Sequence, residues 1–176
     1  MSDICHWRRT AGERRQRDDF TGEHRLGDSG QIIVACLFSA VWISDSFFLN
    51  YSTFLNQYVP VAVRIPIGAV LLGLAAFLAG RGLSIVFGEK RDEPSVINKS
   101  VFSIVRHPIY LAEIILYLGL LVLNMSLAAL GVWAAAVAFL HRISRYEEKL
   151  LLKRFGKDYE QYMKGVPMWI PRFWRR

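Results

Sequence analysis

Cysteine is almost absent: the 176 residues contain only Cys5, in an Arg-rich tail, and Cys36, inside an apolar run. Two thiols so placed make neither a disulfide framework nor a metal site. No Cys/His cluster has zinc-ligand spacing. A Gly-rich dinucleotide loop and a Walker sequence are also missing, so a soluble nucleotide-binding fold is not indicated. The formal charge is +7, yet no nucleic-acid motif accompanies it. Nor does the N-terminus read as a signal peptide. Residues 1–29 are mostly polar, and no small-residue cleavage site follows a short apolar core. The first apolar run is therefore expected to stay as a signal-anchor helix.

What is present is apolar and segregated. The chain is 53% hydrophobic, and long uncharged runs alternate with Arg/Lys-rich ones. This pattern predicts an all-α integral membrane protein with basic extramembrane segments. Residues 1–29 form a polar tail, its six arginines nearly balanced by acids. Residues 30–176 read as a single membrane domain. Apolar runs predict helices over 30–49, 61–79, 107–123 and 127–141, the last two as a hairpin jointed at Asn124-Met125-Ser126. Gly68, Gly73, Ala69, Ala75 and Ala76 permit close packing of the second helix. Asp45 reads as interfacial, and Arg64 as a cation that snorkels to the surface. Residues 80–105, punctuated by Gly80, Gly82, Gly88 and Pro94, read as a segment folded against the membrane face. Residues 142–164 form an amphipathic C-terminal helix that Gly156 kinks or divides. The closing VPMWIPRFWRR reads as an interfacial anchor.

Lys and Arg number six before the first helix, none in loop 50–60, five in 80–106, none at the hairpin joint and ten in 142–176. Four spans with both termini in the cytoplasm satisfy the positive-inside rule at every segment. That topology brings Arg106-His107-Pro108-Ile109-Tyr110 to the same face as Glu147-Glu148. Pro108 suits a helix start. The N–H groups of that turn, with Arg106 beside them, can hold a carboxylate or phosphate. Glu147 and Glu148 can bind ribose hydroxyls or an ammonium group. Phe102, Tyr110 and Tyr146 offer faces to an adenine ring or a cation. Carboxylate, ammonium, ribose and adenine are the parts of S-adenosylmethionine. The same residues admit a structural reading, with Arg106 as a boundary cation, His107 as a cap and the glutamates as a solvated helix face.

Residues 70–172 resemble the isoprenylcysteine carboxyl methyltransferase family and its phospholipid methyltransferase relatives. The resemblance rests on RHPIYL at 106–111, EEKLLLKRFGKDYEQY at 147–162 and VPMWIPR at 166–172. It implies an S-adenosylmethionine-dependent methyl transfer to a lipophilic or membrane-accessible acceptor, whether isoprenylcysteine-type carboxylate, phospholipid amine or thiol. Bilayer lipid is the implied partner, with no metal and no nucleic acid. Position by position, it places the cofactor site on Val96, Ile97, Phe102, Arg106, His107, Pro108, Tyr110, Glu147 and Glu148. An acceptor-linked arginine one turn before Glu147 matches either Arg142 or Arg145. Ser100-Val101 stand where the family often has Gly-Pro. Glu113, two turns into a membrane helix, is a third catalytic candidate: an amine acceptor must lose a proton, and Glu113 or His141 can assist. Two other readings remain open. Membrane sterol reductases share a related C-terminal hairpin and an Arg-His-x-x-Tyr-like motif but use NADPH, and a non-enzymatic four-span protein can keep the scaffold.

Overall fold

The computed structural model describes residues 25–88 and 95–171. The expectations for residues 1–24, the charged stretch 89–94 and the basic end 172–176 lie outside the described residues. All regular structure among the described residues is helical. Helix α1 (Arg25–Ile43) continues into a π-helical turn, Ser44–Leu49, and a short 3-10 turn follows at Phe54–Gln57. Helices α2 (Val61–Gly88), α3 (Pro108–Asn124), α4 (Leu127–Phe155) and α5 (Lys157–Gly165) complete the chain, with a 3-10 turn at Ser100–Ser103 before α3. Apolar runs form helices in lipid because each backbone polar group must be satisfied within its own segment.

Three segments, Ser29–Leu49, Val61–Gly88 and Leu127–Phe155, are long and apolar enough to cross a membrane; Pro108–Asn124 is apolar but shorter. The four main helices run antiparallel in sequence. The end of α1 meets the start of α4, and the start of α2 meets the end of α3. Large apolar side chains such as Ile33, Val70 and Phe77 are exposed on the outside of the bundle, a surface that suits lipid rather than water.

Two helices are longer than expected. Helix α2 does not end at residue 79 but runs to Gly88, because glycine weakens a helix by only about 1 kcal/mol and need not break it. Its apolar spacing also continues through Leu83, Val86 and Phe87. Gly82 is needed for another reason: a Cβ there would meet Ile109 Cγ1 at 2.9 Å. Helix α4 joins the expected hairpin arm and the first half of the amphipathic helix into 29 residues, since no breaker separates His141 from Arg142. Gly156, at φ +55°, ends it and divides it from α5.

The longest packing seam is α2 against α3. At Gly68 an added Cβ would lie 2.5 Å from Leu123 Cδ2, and at Gly119 it would lie 3.0 Å from Leu72 Cδ2. Gly73, by contrast, faces open space. Helix α1 docks on the other side. Phe38 stacks on Tyr117 with ring centroids 4.3 Å apart, and the Trp42 indole N–H donates to Leu120 O at 3.0 Å.

Two polar residues turn inward instead of outward. Asp45 is 4% exposed. Its carboxylate accepts from the Tyr51 and Ser52 N–H groups at 3.1 and 3.0 Å and from the Ser52 and Ser126 hydroxyls. Ser126 also caps α4, accepting from Ala129 N–H at 3.1 Å. Arg64 does not snorkel: it is 8% exposed, and it donates to Asn56 and, at 2.7 Å, to Leu123 O. Leu123 is in the last turn of α3, where carbonyls lack helical partners and a cation is favoured.

Outside the spans, Tyr159, Tyr162 and Val166 form a small core with Val96, Leu151 and Phe155 against it. Burial pushes both phenols above their ordinary value of 10.0, and the nearby Glu148 carboxylate adds to the rise while Arg106 opposes it.

Two predictions follow from this packing. Gly68→Leu overfills the α2–α3 seam and lowers stability by about 1–3 kcal/mol, whereas Gly73→Leu leaves it unchanged or raises it; thermal unfolding in detergent followed by circular dichroism separates them. The second concerns alkali. A phenol whose folded pKa is raised contributes stability that is whole below pH 10, the unfolded value, and declines as pH rises beyond it, because the unfolded chain releases its proton first. The melting temperature should fall above that pH, and fall less in Tyr159→Phe.

Candidate functional site

The site is built where the start of α3 meets the last third of α4. Pro108 occupies the first position of α3 with His107 as N-cap, which puts Tyr110 on the turn facing α4. Residues 147 and 148 are adjacent on α4, about 100° apart around its axis, so they reach different partners. Glu148 turns inward and is 3% exposed. Its Oε1 lies 2.8 Å from Arg106 Nε and 3.4 Å from His107 Nε2. Neither approach has hydrogen-bond geometry, so both are electrostatic contacts. Glu147 accepts from the Tyr110 hydroxyl at 2.5 Å, and its Oε2 lies 3.7 Å from His107 Nδ1. The His107 and Tyr110 rings stack at 5.6 Å. His107 is thus held between two carboxylates and one aromatic face.

The C-terminal segment closes this region from outside. Arg106 and His107 donate their backbone N–H groups to Pro167 O and Met168 O at 2.9 and 3.3 Å. Arg106 Nη1 donates to Met163 O at 3.0 Å, and the Tyr162 hydroxyl to Phe102 O at 2.6 Å. Trp169 packs on Tyr110, Ile114 and Leu140. Residues 166–169 therefore act as a strap on the bundle, beyond the anchor role expected of them. The strap thus takes the backbone N–H groups of the two residues before α3, next to the turn that the sequence offered to an anion.

A cavity of about 280 Å³ lies beside this constellation. Eight of the residues expected at a cofactor site line it: Val96, Ile97, Phe102, Arg106, His107, Pro108, Tyr110 and Glu147. Glu148, the ninth, lies behind that wall. Ser100 adopts φ +50°, a left-handed conformation that favours glycine, so the Gly-to-Ser departure changes the residue at a strained position. The three catalytic candidates are elsewhere. Arg142 and Arg145 are exposed, and helical geometry turns them about 140° and 200° from Glu147. Glu113 accepts from the Tyr117 hydroxyl at 2.5 Å and from Gln31 Nε2 at 3.0 Å. None of the three lines the cavity. His141 is exposed, edge-on to Trp169 at 5.3 Å.

The sequence reading missed several wall residues. Leu83, Val86 and Phe87 come from the part of α2 beyond Gly80, and Tyr159 and Tyr162 from α5. The i, i+3, i+4 spacing of the first three was the available signal. Gln31, from α1, had none.

A family model described as phospholipid methyltransferase matches residues 68–158. The protein-S-isoprenylcysteine O-methyltransferase of Dictyostelium discoideum is 32% identical over 152 residues, 83% of this chain and 63% of that relative. Its namesake from Schizosaccharomyces pombe is 33% identical over 111 residues, 60% of this chain and 45% of that relative. A cobalt-zinc-cadmium resistance protein of Cupriavidus metallidurans is 25% identical over 163 residues, 92% of this chain and 70% of that relative. The chain thus spans less than two thirds of the length of the two methyltransferase relatives. No solved structure matches it. The family match covers more than half of the chain and contains the α3 start and the α4 glutamates that meet around His107: the chain belongs to the phospholipid methyltransferase family.

Proposed function

We propose that this protein is an integral membrane methyltransferase that uses S-adenosylmethionine to methylate a lipophilic or lipid-borne acceptor. The observation that carries the reading is the cavity beside His107, Tyr110 and Glu147, which unites one carboxylate with an apolar and aromatic wall. The wall residues suit the cofactor's parts. Glu147, held by Tyr110, presents a carboxylate for ribose hydroxyls or an ammonium group. Phe102 and Tyr159 offer faces for an adenine ring, and Val96 and Ile97 an apolar edge. His107 Nε2 is buried with no hydrogen-bond partner, a donor or acceptor still to be used. When bound, the sulfonium supplies an electrophilic methyl carbon. The protein's part is to align the acceptor with that carbon and to exclude water.

The membrane setting agrees with a lipophilic acceptor. Leu83 and Phe87 line the cavity and are also 42% and 55% exposed on the outer face of α2. The Lys/Arg distribution favours an orientation with both termini and the cavity in the cytoplasm. Among the described residues no group of three or more His, Cys, Asp and Glu is placed to hold a metal ion.

Calorimetry on detergent-purified protein tests the cofactor directly. S-adenosylmethionine and S-adenosylhomocysteine should both bind. His107→Ala and Glu147→Ala should each weaken binding about tenfold or more, the scale of one lost charged hydrogen bond. Neither heat nor a thermal shift from either compound would sink the reading. Membranes incubated with methyl-labelled cofactor should then carry the label in an extractable lipid fraction.

A further inference from the structure

Among the described residues, Gln31 is the one in α1 that reaches the cavity wall, and it lies outside the family-matched segment 68–158. Its amide nitrogen donates to Glu113 Oε2 at 3.0 Å, while the Tyr117 hydroxyl donates to Glu113 Oε1 at 2.5 Å. A carboxylate accepts and does not donate, so Glu113 fixes which end of the amide faces it. The carbonyl oxygen is then the acceptor that Gln31 can offer to the cavity. The position of α1 is fixed as well. Gly30 lets it approach α4 so closely that a Cβ would meet Phe139 Cζ at 2.6 Å, and the Phe38–Tyr117 stack fixes its height against α3.

The charges on the wall point the same way. Its basic side chains among the described residues are Arg106 and His107. Arg106 is engaged by Glu148 and Met163 O, and His107 lies between Glu147 and Glu148. Arg142 and Arg145 face away. Among the described residues of the wall, an anionic head group therefore meets the Glu147 carboxylate and two basic groups that already lie against carboxylates, whereas a head group that donates a hydrogen bond meets Gln31.

We propose that Gln31, oriented by Glu113 and Tyr117, positions the nucleophile of the methyl acceptor and selects a reacting atom that carries a hydrogen-bond donor, an amine or a thiol, over a carboxylate. This rests on the methyltransferase reading. The lone pair of the neutral nitrogen or sulfur forms the bond to the sulfonium methyl as the methyl–sulfur bond of the cofactor breaks; S-adenosylhomocysteine leaves and the acceptor's proton goes to water. Gln31 accepts a hydrogen bond and takes no proton; it is a positioning residue, and Glu113 positions Gln31.

The test uses purified full-length protein and three probes of twelve carbons each: dodecylamine, dodecanethiol and dodecanoate. Transfer should favour the amine or the thiol over dodecanoate. Gln31→Leu should raise KM for the favoured probe roughly tenfold, the scale of one hydrogen bond in a low-dielectric site. KM for S-adenosylmethionine and calorimetric affinity for S-adenosylhomocysteine should not change, a split that general loosening of the fold would not produce. Glu113→Gln, which frees the amide to turn either way, should raise the same KM by less. Equal transfer to dodecanoate, an unchanged KM in Gln31→Leu, or cofactor binding without transfer to any probe overturns the proposal and leaves the cofactor site standing. Wild-type protein that binds no S-adenosylhomocysteine overturns both.

Discussion

The contact between Arg106 and Glu148 sets the rest of the site. Both side chains are almost fully buried, at 11% and 4% exposure. A buried pair of this kind gains little net stability, because two desolvation costs oppose the attraction, but breaking it leaves a charge uncompensated. Its consequence is register. With Glu148 fixed on Arg106, Glu147 can face only the next 100° of α4, and there it meets the Tyr110 hydroxyl. His107 is then caught between neighbouring carboxylates. The strap at 166–169 fixes the same two residues, 106 and 107, by their backbone N–H groups. Side chains of α4 hold the start of α3 from one side, and main-chain carbonyls of the C-terminal segment hold it from the other.

Helix α3 can be short because both of its ends are polar by construction. Seventeen residues span about 25 Å, less than the roughly 30 Å of a bilayer core. An end left in hydrocarbon would expose orphan carbonyls or N–H groups at several kcal/mol each. Arg64 prevents this at Leu123, and the Asp45–Ser52–Ser126 cluster prevents it at the joint with α4. This is why a charge in the first turn of α2 and another near the end of α1 turn inward.

Composition and periodicity were enough to place four apolar helices, the hairpin joint and the meeting of residues 106–110 with 147–148. They failed where local signals compete with tertiary ones. Gly80 and Gly82 look like breakers because their propensity is poor, yet at Gly82 the missing side chain admits Ile109. Arg64 and Asp45 look interfacial because lone charges usually are, and nothing nearby in sequence reveals Leu123 O or Ser126. Arg142 and Arg145 looked eligible by distance along the chain. Helical phase turns both away from Glu147, and Ile143 and Ser144 lie one turn back on its side of α4. Gln31 was invisible, since its partner Glu113 is 82 positions away.

The height of the cavity follows from helix lengths. Helices α2 and α4 have 28 and 29 residues, or about 42 Å each, and so exceed a bilayer core by about 12 Å, some eight residues. At the end of each helix that carries the site, eight residues are 81–88 of α2 and 148–155 of α4. Those stretches supply Leu83, Val86 and Phe87 on one side and Leu151 and Phe155 on the other, with Glu147 just before the second stretch. Gly82 lets the extension of α2 reach the start of α3, so the overhang becomes a wall instead of a free helix end. A cavity at that level lies at the edge of the apolar slab. On the proposed reading, a lipid-borne chain reaches such a cavity from the slab and a water-soluble cofactor from the aqueous side, and neither has to leave its own solvent.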